Sequence, residues 1–154
     1  MKHLFAALAV LALTIPALAS EATFERNLTV NGRVELSVAT GAGNVHLTRG
    51  SGNQVHIFAR VKANWGGSEE RVQEIAAHPP IEQTGNIIRI GARHESLHNI
   101  GIDYEIEAPA DSYLDAGAGS GNITDGSLPK TTNQSAPNQI TASTGDGNIT
   151  ISQQ

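Results

Sequence analysis

Three stretches of the chain repeat one corner: Gly41-Ala-Gly-Asn-Val-His46, Gly119-Ser-Gly-Asn-Ile-Thr124 and Gly145-Asp-Gly-Asn-Ile-Thr150. The shared pattern is G-x-G-N-[VI]-x. Glycine enters the φ > 0 region without a Cβ clash, and asparagine tolerates it better than other residues, so the pattern reads as a sharp bend delivering the chain into a strand. The structural corners are therefore assigned to Gly41, Gly43 and Asn44, to Gly119, Gly121 and Asn122, and to Gly145, Gly147 and Asn148. Positive φ is expected at Gly119, Gly121, Gly145 and Gly147. A corner that recurs with the same chemistry suggests a chain wound in β-coils, each inward Val or Ile packing on its counterpart one coil along. Gly121 and Gly147 are 26 residues apart, within the range of one coil plus a loop insertion; Gly43 to Gly121 is 78, three times that, but nothing near residues 69 or 95 repeats the motif, so the multiple is read as coincidence.

Along the rest of the chain the apolar period is close to two. Thr23–Val30, Val34–Val38, Val45–Leu47, Val55–Val61, Asn86–Ile90 and Ile102–Glu107 read as strands, and Asn31-Gly32 as a tight turn between the first two. The rhythm breaks at Asn64-Trp-Gly-Gly67. Ser68 can then cap a helix that begins with Glu69 and Glu70, buries Val72, Ile75 and Ala76, and stops at Pro79-Pro80. The polar stretch Lys130–Asn138 reads as a loop. These elements predict an all-β fold, a β-solenoid or single-stranded β-helix-like coil with one short helix inserted, the alternative being a β-sandwich.

Residues 1–19 carry the marks of a cleaved signal peptide: Lys2 and His3, an apolar run from Leu4 to Leu18, and Ala17-Leu-Ala19 as the cleavage site. One mature domain, 20–154, is expected in the periplasm or outside the cell, with no membrane span. The chain has no cysteine, which excludes disulfides, thiol chemistry and thiolate metal sites. Ser20 to Arg93 carries eight basic and seven acidic residues, whereas from His94 onward Lys130 stands against eight acids. A phosphate backbone would be repelled, so nucleic acid is not an expected partner.

The signal, the G-x-G-N-V-x-L corner, the short charged helix, Gly85-Asn-Ile-Ile-Arg-Ile90, the Ile102-to-Pro109 strand and the later G-[SD]-G-N-I corners together resemble the bacterial putative adhesin family of unknown function, a relative of the auto-transporter adhesin head domain. The resemblance spans nearly all of the chain after residue 19. It implies a β-solenoid-like envelope protein with no catalytic residues to carry over.

Several groups invite chemistry. The glycine corners satisfy neither G-x-G-x-x-G nor G-x-x-x-x-G-K-[ST], so phosphate cradling is not expected, and they lack the aspartate of the calcium-binding nonapeptide repeat. Asp103, Glu105 and Glu107 alternate along one strand at about 6.5–7 Å, a spacing that suits an inverting hydrolase or a calcium site. The basic partner such a row needs is restricted to Lys130 within that half of the chain, so a solvated outer face is the better reading. His46 and His56 would be cross-strand neighbours, and weak metal candidates, if Ser51 centred a hairpin. His94 and His98 would meet only on a helix. Trp65 could stack on a sugar ring or cover the helix end. The N-x-[ST] sites at Asn27, Asn122, Asn133 and Asn148 matter only in a eukaryotic secretory route. The expected function is thus a non-enzymatic envelope module without cofactor, contacting an envelope protein, a glycan or its own copies. The alternatives are a small carbohydrate-active enzyme centred on residues 103, 105 and 107, or a metal-binding periplasmic protein.

Overall fold

The computed structural model describes residues 20–91, 97–128 and 140–153; the expected signal peptide (1–19), His94 and the stretch Lys130–Asn138 read as a loop lie outside them. The described chain is all-β apart from one helix. Its elements are β1 Glu21–Thr29, β2 Val34–Ala42, β3 Val45–Gly50, β4 Gln54–Ala63, α1 Glu69–Ala77, β5 Ile81–Thr84, β6 Ile87–Ile90, β7 Ile100–Pro109, β8 Ser112–Ser120, β9 Ile123–Leu128, β10 Ile140–Asp146 and β11 Ile149–Gln153. They form two mixed sheets, ordered β1-β4-β7-β3-β9-β11 and β10-β8-β2-β6-β5.

Alternation in sequence becomes alternation in burial. Val34, Leu36, Val38, Ile88, Ile90, Leu114 and Ala116 point inward from the five-stranded sheet. Val45, Leu47, Val55, Ile57, Val61, Ile102, Tyr104, Ile106 and Ile123 meet them from the six-stranded one in a single apolar cluster. β1 and β4 need a cover on that side, and α1 packs against both, burying Val72 and Ile75 while Ala76 stays half-buried. Ser68 caps the helix as expected, its side chain accepting from the Arg71 N–H.

Each G-x-G-N corner carries the chain from the five-stranded sheet to the six-stranded one: β2 to β3, β8 to β9, β10 to β11. Parallel pairing stacks them in tiers, Val38 beside Ala116 beside Ala142 in one sheet and Val45 beside Ile123 beside Ile149 in the other. β6 and β7 form a further tier on the opposite side of β2 and β3. Gly43 and Gly121, distant in sequence, are therefore in adjacent tiers, because β4, α1, β5 and the β6/β7 tier occupy the chain between them.

The two glycines of the corner differ. Gly43, Gly121 and Gly147 have φ of 134°, 140° and 153°, and a Cβ on each would overlap the carbonyl of Ile102, Gly43 and Gly121 respectively. Gly119 and Gly145 are outside the left-handed region, contrary to expectation. Their need for glycine is close approach: a Cβ would stand 2.5 Å from the Gly41 oxygen and 2.8 Å from that of Gly119. Gly41, at the same motif position, has open space where its Cβ would be.

Three other sequence expectations change. Asn31-Gly32 joins no hairpin, since β1 and β2 belong to different sheets; Asn86 holds the bend by accepting from the Asn31 N–H and donating to its carbonyl. β8 and β10 are strands made largely of Ala, Gly, Ser and Thr, without the regular alternation of large apolar side chains that marks a strand in sequence. β5 was hidden behind Pro79-Pro80.

Valine at Gly121 or Gly147 should cost about 1–3 kcal/mol each, while Thr124→Val, on the outward side of β9, should be nearly neutral. The decisive pair is alanine at equivalent positions: Gly119→Ala should destabilise by about 1–3 kcal/mol through overpacking and Gly41→Ala should not. Urea denaturation of the five variants checks this, and equal tolerance at Gly41 and Gly119 would contradict the stacked geometry.

Candidate binding face and the asparagine ladder

The corners build a ladder. Asp103 Oδ1 accepts from the N–H of Asn44 at 2.8 Å and from its Nδ2 at 3.1 Å. Asn44 Oδ1 accepts from the Asn122 N–H at 3.0 Å, and Asn122 Oδ1 accepts from the Asn148 N–H at 3.0 Å. Main-chain bonds run beside it, from Tyr104 N–H to the Asn44 carbonyl, Val45 to Asn122 and Ile123 to Asn148. Asp103, Asn44 and Asn122 thus each satisfy a donor that the corner withdraws from the strand ladder. Thr40 and Thr144 add a hydroxyl clamp, donating to the Ile102 and Gly121 carbonyls of the adjacent tier at 3.1 Å.

Asp103, Glu105 and Glu107 do line the outer face of β7, and their basic partners come from the first half of the chain. β4 runs antiparallel to β7 and places Arg60 opposite Asp103 and Lys62 opposite Gly101. Lys62 Nζ lies 2.7 Å from Asp103 Oδ2, and Arg60 3.4 Å from Glu105 Oε1. The expectation that Lys130 alone could serve is corrected: pairing across the sheet, not position along the chain, decides which cations are near. Burial acts to raise the Asp103 pKa, but hydrogen bonds from Lys62 and Asn44 together with the Lys62 charge outweigh it and hold the carboxyl below its ordinary value. The same partner holds the Lys62 ammonium above its own.

His46 and His56 are not cross-strand partners. β7 lies between β3 and β4, so His46 stands beside Glu105 and His56 beside Glu107, with His56 Nε2 2.8 Å from Glu25. Among the described residues no group of three or more His, Asp or Glu side chains is arranged to hold a metal ion. Trp65 covers nothing: it is 99% exposed. Its loop is nonetheless fixed, the Asn64 N–H donating to the Asn99 carbonyl at 2.7 Å and Gly67 lacking room for a Cβ against that same oxygen. Tyr104 is buried edge-on to Phe24 with ring centres 6.4 Å apart, and burial pushes its phenol up, so it remains neutral core.

A hollow of 470 Å³ lies on the other sheet, floored by Ala39, Gly41, Gly117 and Gly119 and edged by Leu97 and Ser143. The β7 carboxylates belong to the six-stranded sheet, and none of the residues lining the hollow is acidic.

No family model matches the chain, and no curated protein matches it. Three similar solved structures are described as adhesion proteins. One, a putative cell adhesion protein from Clostridium sporogenes, aligns with 86% of this chain and 100% of its own at 9% identity and a TM-score of 0.47. Putative adhesins from Parabacteroides merdae and Parabacteroides distasonis align with 84% of this chain at 9% and 10% identity and TM-scores of 0.40 and 0.43; the match spans 55% and 56% of their lengths. No helix among the described residues is long and apolar enough to cross a membrane.

Asp103 generates a pH prediction. Its depressed folded-state pKa means that its stabilisation is present above the ordinary aspartate range and is lost as pH falls through the folded value. Asp103→Asn retains an acceptor for Asn44 but loses the pair with Lys62. The wild type should therefore melt a few degrees above the variant at pH 7, and the gap should narrow as pH falls below the ordinary aspartate range. A gap that persists at low pH would assign the loss to packing.

Proposed function

We propose that the protein is a non-enzymatic, adhesin-like envelope module, exported by residues 1–19, whose stacked β-coils form a solenoid-like scaffold and whose exposed faces make its contacts. The observation that carries the non-enzymatic part is the placement of its carboxylates. Asp103 is the first rung of the corner ladder and is locked by Lys62 and Asn44, while Glu105 is engaged by Arg60. General acid catalysis requires a proton held near the working pH, and a carboxyl stabilised as the anion does the opposite. The row also lies on an open sheet face, away from the hollow that could enclose a sugar. The solenoid-like part is supported by four tiers in parallel register with a repeated corner. For the contact role, the preorganised Trp65 loop supplies an aromatic surface of the kind that anchors recognition.

Fractionation should recover the mature protein, beginning near Ser20, from the periplasm or the medium; full-length protein retained in the inner membrane would overturn the export reading. A turnover screen on acidic polysaccharides, with and without calcium, should give no product. Product formation abolished by Glu105→Gln would establish the enzyme instead.

A further inference from the structure

The two ends of the stack are built differently. At the β1/β5 end, the edge strands are guarded. β1 carries Glu21, Glu25 and Arg26, and β5 is four residues long, follows Pro79-Pro80 and contains Glu82. Side chains also clasp the two sheets there: Gln83 Nε2 donates to the Thr29 carbonyl at 2.9 Å, and Asn86 bonds Asn31 in both directions. Charges, proline and shortness are the devices by which edge strands avoid pairing with other chains.

The β10/β11 end is guarded far less. Its two strands, Ile140–Asp146 and Ile149–Gln153, contain no proline and one charge, Asp146. The inward column Tyr104, Val45, Ile123, Ile149 makes the difference plain: the first three are 1% exposed and Ile149 is 42% exposed. Asn148 donates to Asn122, but among the described residues no further N–H donates to the Asn148 side chain. Among the described residues this tier ends the stack in two strand edges, an apolar column end and a ladder rung without a donor above it.

We propose that this end pairs with the same end of a second copy, β11 to β11 and β10 to β10, making a closed two-fold dimer. The inference rests on the stacked-coil reading above. A second copy fits because the surface is self-complementary: a single charge per copy, Ile and Thr recurring along both strands, and strand edges that offer main-chain donors and acceptors alike. A two-fold axis normal to the sheets makes the new pairs antiparallel and sets the two Asp146 carboxylates at opposite ends of the interface. Pairing of unlike ends would give an open filament, and the guarded β1/β5 end opposes it.

Light scattering of the whole protein across a concentration series should show monomer converting to twice its mass and nothing larger. Ile149→Lys, tolerated in the monomer because the position is solvent-accessible, should leave only monomer with the melting temperature within a few degrees, whereas Thr23→Lys on β1 should still dimerise. Should Ile149→Lys fold poorly, hydrogen exchange on the wild type decides: amides of β10 and β11 must gain protection with concentration while α1 amides do not. Monomer at every concentration, masses beyond the dimer, a dimer indifferent to Ile149→Lys, or exchange that ignores concentration would each overturn the proposal. Gly147→Val keeps the two readings apart: if it leaves stability unchanged, the stacked coil fails whatever the mass.

Discussion

The structure depends on how closely one turn of main chain can sit on the next. At the corner a carbonyl of one tier occupies the space where the Cβ of the adjacent tier's glycine would stand. That contact fixes the spacing at which parallel strands on either side of the corner can pair, and so sets both sheets at once. Any side chain there would hold the tiers apart and break the ladders on both faces. Asparagine follows because the bend removes donors from strand pairing, and its amide oxygen reaches the next tier's N–H. In the first rung an aspartate takes that role, and there the ladder meets a lysine.

Local features were legible in the sequence. The corners, the capped helix after Ser68 and the strands with branched residues at every second position all carry their conformation in adjacent residues. β8 and β10 did not, because their inward positions are filled by Ala116, Ala118 and Ala142, small residues of weak strand propensity. Asn31-Gly32 has the dipeptide of a hairpin, yet the bend passes between sheets because Asn86, far along the chain, accepts its donor.

The candidate site was less legible than the fold. That Asp103, Glu105 and Glu107 share a face follows from their spacing; that β4 neutralises two of them follows only from the pairing of β4 with β7. The uneven charge along the chain, balanced early and acidic late, is compensated locally where β4 lies beside β7. His46 and His56 illustrate the same limit, since one interposed strand converts a supposed pair into two separate histidine–glutamate neighbours.

The order of the tiers bears on how the chain reaches this state. β2 and β3 are made early, yet they end in the middle of the stack, with β6 and β7 on one side and β8 and β9 on the other. Every strand that will cover them arrives later, and the contact between Gly43 and Gly121 closes a long loop, so folding is expected to be slow for the size of the domain. As the chain is synthesised, the tier of β2 and β3 waits with both edges bare. During that interval the protein is more exposed to wrong partners than it will be again.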